Sequence, residues 1–161
     1  MVGSLLCPVV DWCDLVGEAL HCGKTVRVRV RGWSMHPAIR DGDVVWIASA
    51  KVEHLRLGQV LLYSNAAGKP LIHRFIRRGC PTRDPFLCIA SDRVPGIAEW
   101  VPTTQILGRV VGLERSDRRI ALDGLWGRLW GWAFLLLRPL RPLLGRLRGW
   151  MRRLGGRARR A

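Results

Sequence analysis

Acidic side chains are scarce in this chain: 12 Asp and Glu stand against 27 Lys and Arg over 161 residues. The deficit is uneven. Residues 1–114 carry 14 basic and 10 acidic groups, a net of +4, whereas residues 115–161 carry 13 arginines against Asp117 and Asp123, a net of +11. The first part reads as an ordinary, mildly basic domain, and the second should seek anionic surfaces. Paired metal-ligand spacings are missing too. The five cysteines (Cys7, Cys13, Cys22, Cys80 and Cys88) contain no CxxC pair. Neither they nor His21, His36, His54 and His73 supply the four convergent ligands of a zinc module. The odd count suits reduced thiols, with Cys80 and Cys88, on either side of Pro81-Thr82-Arg83-Asp84-Pro85, the one pair placed to face each other across a hairpin. A cleavable signal peptide is not expected, because the start lacks a basic segment and Asp11, Asp14 and Glu18 interrupt any apolar run.

What is present divides into three segments. Residues 1–24 hold an amphipathic helix over 9–21, where Val9, Trp12, Cys13, Val16, Ala19 and Leu20 recur at three- and four-residue spacing before a stop at Gly23. Residues 25–122 read as a β-rich domain. Val26, Val28 and Val30 alternate with Arg27, Arg29 and Arg31, which predicts a half-solvated strand. Val44 to Ala48 shows no alternation and predicts a strand buried on both faces. Further strands are expected at 59–64, 69–78, 86–91, 105–113 and 119–122, separated by turns such as Arg40-Asp41-Gly42-Asp43 and Asn65-Ala66-Ala67-Gly68. Many short strands between such turns indicate a mainly β barrel or folded sheet. Residues 123–161 form a tail rich in Trp, Leu and Arg.

One turn holds the chemistry. Gly32-Trp33-Ser34-Met35-His36-Pro37 ends the alternating strand and presents a serine where a nucleophile can face a groove. A serine hydroxyl needs a base within hydrogen-bond reach. His73, in Leu71-Ile72-His73-Arg74-Phe75, suits that role because imidazole is largely neutral at pH 7. Lys69, four residues earlier on the same strand face and about 13 Å away by strand rise, is the rival base. An acid usually orients the imidazole. Asp92 in Ala90-Ser91-Asp92-Arg93 is the first choice and Glu99 the second. The Ser34 N–H can serve the oxyanion, with Gly32 letting the backbone approach.

These segments resemble a known family. Gly32-Trp33-Ser34-Met35-His36-Pro37 followed by Asp41-Gly42-Asp43-Val44-Val45 resembles the Ser-Met-x-Pro box and Gly-Asp turn of the signal peptidase I family, whose superfamily includes the self-cleaving LexA-type repressors. Gly58-Gln59-Val60, Ile72-His73-Arg74 and Ile106-Leu107-Gly108-Arg109-Val110 resemble the later boxes, in the same order, over roughly residues 26–113. The resemblance implies a signal-peptidase/LexA-like folded β-sheet barrel, here with a short N-terminal helix and an amphipathic helical tail. It implies Ser34 as nucleophile and His73 in the position where most bacterial members carry lysine, as in the endoplasmic-reticulum and archaeal branch. Asp92 falls where that branch has a Gly-Asp-Asn box, here written Ser91-Asp92-Arg93. Some relatives place a hydroxyl two residues before the nucleophile; here Gly32 stands there, so backbone must serve. The implied activity is cleavage of an extended signal or leader peptide after a small residue, with no metal or organic cofactor. The substrate would add as a strand beside the nucleophile. Trp33 and Trp46 are candidates to line that groove, with packing the favoured role for Trp46.

The tail locates the enzyme. Leu125 to Leu137 spans 13 residues and includes Arg128, short of the about 20 apolar residues a spanning helix needs. Trp126, Trp130, Trp132 and Trp150 among many arginines suit an interfacial helix on an anionic membrane. Nucleic acid is disfavoured as its partner because the tail is so apolar. With no anchor ahead of the domain, the cytoplasmic face of the membrane is expected, and with it leader removal from a cytoplasmic precursor. The rival readings are a self-cleaving LexA-type protease, disfavoured by the lack of a DNA-binding helix-turn-helix, and a catalytically inactive basic β module.

Overall fold

A computed structural model describes residues 9–79, 85–93, 98–122 and Ala133. Cys80 and the rest of the 123–161 tail, with the interfacial helix expected there, lie outside the described residues. The expected first helix forms as α1 (Val9–His21). It stops at Gly23, whose φ of +74° is a left-handed conformation that glycine adopts readily. The Gly23 and Lys24 N–H groups donate to the Leu20 and Ala19 carbonyls, each at 3.0 Å.

Eight strands follow among the described residues: β1 (Val26–Arg29), β2 (Val44–Ala48), β3 (Val60–Ser64), β4 (Pro70–Gly79), β5 (Phe86–Ala90), β6 (Ala98–Pro102), β7 (Ile106–Arg115) and β8 (Arg118–Ala121). All pair antiparallel in one mainly β sheet of order β1-β2-β7-β3-β4-β5-β6, with β8 on β7. The ten-residue β7 joins the two parts of the sheet, pairing with β3 through its first half and with β2 through its second. Gly108 permits this junction. A Cβ there would lie 2.8 Å from the Ala48 carbonyl oxygen and 2.9 Å from Leu20 Cδ1, closer than side-chain atoms tolerate.

Two apolar clusters cover the sheet. One joins Val16 and Leu20 of α1 to Met35, Ile39, Val45, Ile47, Val60, Leu62, Val110 and Leu113. The other holds Leu55, Leu61, Tyr63, Phe75, Leu87, Ile89 and Val101. Successive residues of a strand point to opposite faces, so β3, with Val60 and Leu62 in one cluster and Leu61 and Tyr63 in the other, is the strand buried on both sides. This corrects the expectation for β2. There Val45 and Ile47 are buried but Trp46 faces outward, its ring flanked by the guanidinium groups of Arg27 at 5.0 Å and Arg119 at 4.7 Å. Those cations cover an aromatic face that the apolar sequence of β2 suggests is in the core. β6 is a strand the sequence pattern did not announce. Ala98, Glu99 and Trp100 are exposed there and a proline ends it, a composition of low β-propensity tolerated at a sheet edge.

The loop from Val30 to Asp43 is pinned at both ends and in the middle. Val30 N–H donates to the Asp43 carbonyl at 2.8 Å and Gly42 N–H to the Val30 carbonyl at 2.9 Å. Met35 and Ile39 enter the first cluster. The buried Asp43 carboxylate receives Arg115 Nε at 2.9 Å, Arg115 Nη2 at 2.6 Å and the Arg40 N–H at 2.7 Å. Burial pushes this carboxyl upward, but the Arg115 and Arg40 bonds outweigh it and hold it below the usual carboxylate range. A depressed carboxyl contributes its stability above the unfolded value and loses it as pH falls through the folded one. Asp43→Ala should therefore cost about 1–3 kcal/mol near neutrality in urea unfolding, and its deficit relative to wild type should shrink on acidification below about pH 4.

Candidate active site

β4 places His73 and Arg74 side by side in sequence and therefore on opposite faces of the sheet. The register sets His73 opposite Leu61 and Arg74 opposite Val60, so His73 shares its face with Leu61 and Tyr63. His73 Nδ1 lies 2.9 Å from the Tyr63 hydroxyl oxygen, and the Tyr63 hydroxyl donates to Glu99 Oε1. Glu99 reaches this face from β6, where it pairs with Ile89, and its Oε1 is 3.8 Å from His73 Nδ1.

These three side chains fix the imidazole tautomer. The phenol gives its one proton to the carboxylate, so its oxygen can only accept from the ring. Nδ1 therefore carries the hydrogen of neutral His73, and Nε2 keeps the lone pair. Burial pushes the His73 pKa below the ordinary histidine value, against the opposing pull of the Glu99 and Asp92 charges. The ring is thus neutral at pH 7. As pH falls through about 6.5, the unfolded chain takes up a proton that folded His73 resists, so this residue subtracts stability there and none above it. Burial first, then the bond to Glu99, raises the Tyr63 hydroxyl well above the usual phenol range, so it stays protonated.

On the other face, Arg74 grips Asp92 through two bonds, Nε to Oδ1 at 2.8 Å and Nη2 to Oδ2 at 2.6 Å, and Arg74 Nη1 donates to the Gly58 carbonyl at 2.6 Å. Both side chains are almost fully buried, 5% and 1% exposed. Asp92 makes no hydrogen bond to the His73 ring and acts on it through its field.

Ser34 is exposed in the turn after β1. Its carbonyl accepts Ser91 Oγ at 2.6 Å and the Arg93 N–H at 2.9 Å, which ties the turn to the bend beyond β5. Its N–H donates to no described group. Gly32 adopts φ +108° with open space around its α-carbon, so glycine is required there for the turn and not for room. Asp41 Oδ1 holds the Gly32 N–H at 2.7 Å. Trp33, 54% exposed, stands beside the serine with the Arg93 guanidinium 5.9 Å from its ring and the His36 ring 5.7 Å away.

The fold thus gathers the Ser34 turn, the Ser91–Arg93 bend and the Arg74 side of β4, and it brings Glu99 to His73. Among the described residues no hydrogen bond joins Ser34 Oγ to the His73 ring. Lys69 is exposed in the β3–β4 turn, its N–H on Asn65 Oδ1 at 2.9 Å, and contacts neither Ser34 nor His73. Tyr63 and the Ser91 hydroxyl are the site residues that the sequence pattern did not mark. The signal for Tyr63 was its being the one tyrosine in the chain. A cavity of about 1000 Å³ adjoins the Arg74 side of this constellation, lined by Ile39, Leu57, Val60, Arg74 and Leu122 among others but by neither Ser34 nor His73.

No protein-family model matches the chain, and no curated protein matches it. Among the described residues no helix is long and apolar enough to cross a membrane.

Removing Asp92 strands the buried Arg74 guanidinium, so Asp92→Ala should cost about 3–5 kcal/mol, whereas Lys69→Ala should stay within about 0.5 kcal/mol of wild type. Denaturant midpoints measure both.

Proposed function

We propose that this chain is a serine endopeptidase of the signal-peptidase type, with Ser34 as nucleophile and His73 as general base. The supporting observation is the tie between Ser34 and the Ser91–Arg93 bend, residues 57 apart in sequence, whose central Asp92 clamps the arginine next to His73. Three segments that sequence spacing alone leaves unrelated meet at one place on the sheet. In this reading the sheet is the folded signal-peptidase/LexA-like barrel, extended by a C-terminal helical tail.

The chemistry follows from the groups present. His73 Nε2 takes the proton of Ser34 Oγ as the oxygen attacks the scissile carbonyl carbon, and the Ser34 N–H stabilises the resulting oxyanion. Imidazolium then gives that proton to the departing amine as the C–N bond breaks. Water, deprotonated by the same nitrogen, hydrolyses the acyl-enzyme and releases Ser34. In this reading the Ser34–His73 bond is made only in the substrate complex. β1 leads into the nucleophile turn and occupies the end of the strand order, so an extended peptide can add along its outer edge, with Trp33 at the lip. The substrate is a signal or leader peptide cut after a small residue. The Arg-rich tail holds the enzyme on an anionic membrane, at its cytoplasmic face.

The test is cleavage of a small-residue peptide panel by the full-length protein. Ser34→Ala should abolish turnover, His73→Ala should lower kcat by about 10³-fold or more, and Lys69→Ala should leave it unchanged. Turnover that survives Ser34→Ala would overturn Ser34 as the nucleophile, and wild-type protein that cleaves no member of the panel would favour the non-catalytic β module.

A further inference from the structure

The serine-peptidase reading needs a group that orients the base, and two carboxylates lie near His73. Their surroundings assign them different work. Asp92 is 1% exposed, and both its oxygens are taken by Arg74 on the face of β4 that His73 does not share. Glu99 lies on the His73 face, its side chain 45% exposed. One of its oxygens is bonded to the phenol that holds Nδ1.

We propose that Tyr63 and Glu99 are the positioning residues of the reaction, with Glu99 acting on His73 through the Tyr63 hydroxyl, and that Asp92 positions the Ser34 turn instead of the base. The proposal rests on the dyad reading and goes beyond it by naming how the base is held. Three adjoining functions follow. The relay fixes the ring by its Nδ1 side, so that Nε2 is the basic atom. It limits rotation of the ring about its own axis, since Tyr63 is wholly enclosed by the second apolar cluster. It also supplies a negative charge to the imidazolium that forms when Ser34 gives up its proton. No proton travels along the relay: Tyr63 keeps its hydrogen toward Glu99, and His73 keeps the one on Nδ1, throughout the cycle. This corresponds in role, though not in bonding, to the buried aspartate of a triad.

The charged and titratable groups facing the ring come from every neighbouring element. Tyr63 comes from β3 and Glu99 from β6, Asp92 acts from the bend after β5, and Arg74, on the ring's own strand, points to the opposite face. Of the two anions, Glu99 is the one whose side chain reaches bulk solvent. Changing it perturbs the base without disturbing a buried pair.

Nitrogen-15 NMR of the His73 ring across pH, in the full-length wild type, Tyr63→Phe and Glu99→Gln, tests the proposal without needing turnover. Wild type should show the hydrogen on Nδ1. Tyr63→Phe keeps the ring shape in the core and removes the acceptor, so the Nε2–H tautomer should gain. Glu99→Gln removes an anion that favours imidazolium, so the midpoint of ring protonation should fall. In peptide cleavage the acid limb of the pH–rate profile should move to lower pH with it, and kcat should drop about tenfold or more in both variants. A wild-type ring with its hydrogen on Nε2 would overturn the proposal, and so would a Glu99→Gln protein whose midpoint and acid limb both stay in place. If the ring responds as expected but Ser34→Ala leaves cleavage intact, the peptidase reading falls and the Glu99–Tyr63–His73 relay stands.

Discussion

The bidentate contact between Arg74 and Asp92 is the constraint on which the rest of the site depends. Two charges withdrawn from water carry a large desolvation cost, which good geometry and further bonds must offset. Here the guanidinium meets both carboxylate oxygens and spends a remaining N–H on the Gly58 carbonyl. The pair fixes the bend after β5 relative to β4. Because Ser91 and Arg93 flank Asp92 and both hold the Ser34 carbonyl, that bend sets where the serine sits. A surface turn thereby acquires a position determined in the interior.

The alternation of a β-strand turns this arrangement into a division of labour. His73 and Arg74 are neighbours in sequence, yet one belongs to a polar cluster that organises backbone and the other to a cluster that tunes an imidazole. A one-residue slip of β4 against β3 would exchange them and bury the wrong group on each side. The register is secured by β3, whose two faces are both covered, so that either slip would also expose apolar side chains.

Much of this was legible in the residues. The helix, the alternating β1, the Asp41–Gly42 turn and the strand carrying His73 follow from periodicity and turn chemistry. Ser34 and His73 could be singled out because a hydroxyl and an imidazole were placed at strand ends or on apolar strands without an evident packing role. Three features were hidden for physical reasons. β6 has few residues that favour extended structure and is held by pairing with β5. Trp46 is covered by arginines from β1 and β8, a contact between segments that periodicity along β2 cannot register. Tyr63 reaches His73 diagonally across two paired strands, and Glu99 reaches both from a third. Such a cluster is a property of strand order, which local pattern does not specify. Asp92 was chosen for its place after a strand; its partnership with Arg74 depends on which face each side chain takes.

Tyr63 has a consequence of another kind. It is the sole tyrosine among 161 residues, and it is enclosed, protonated and bonded to a carboxylate. Every phenolic signal the protein emits, whether an ultraviolet absorption edge, a ring-breathing vibration or a hydroxyl proton shielded from exchange, originates at the centre of the polar cluster. The molecule therefore carries a native, single-copy phenolic reporter beside His73, with no label to attach and only the eight tryptophans to be told apart from it.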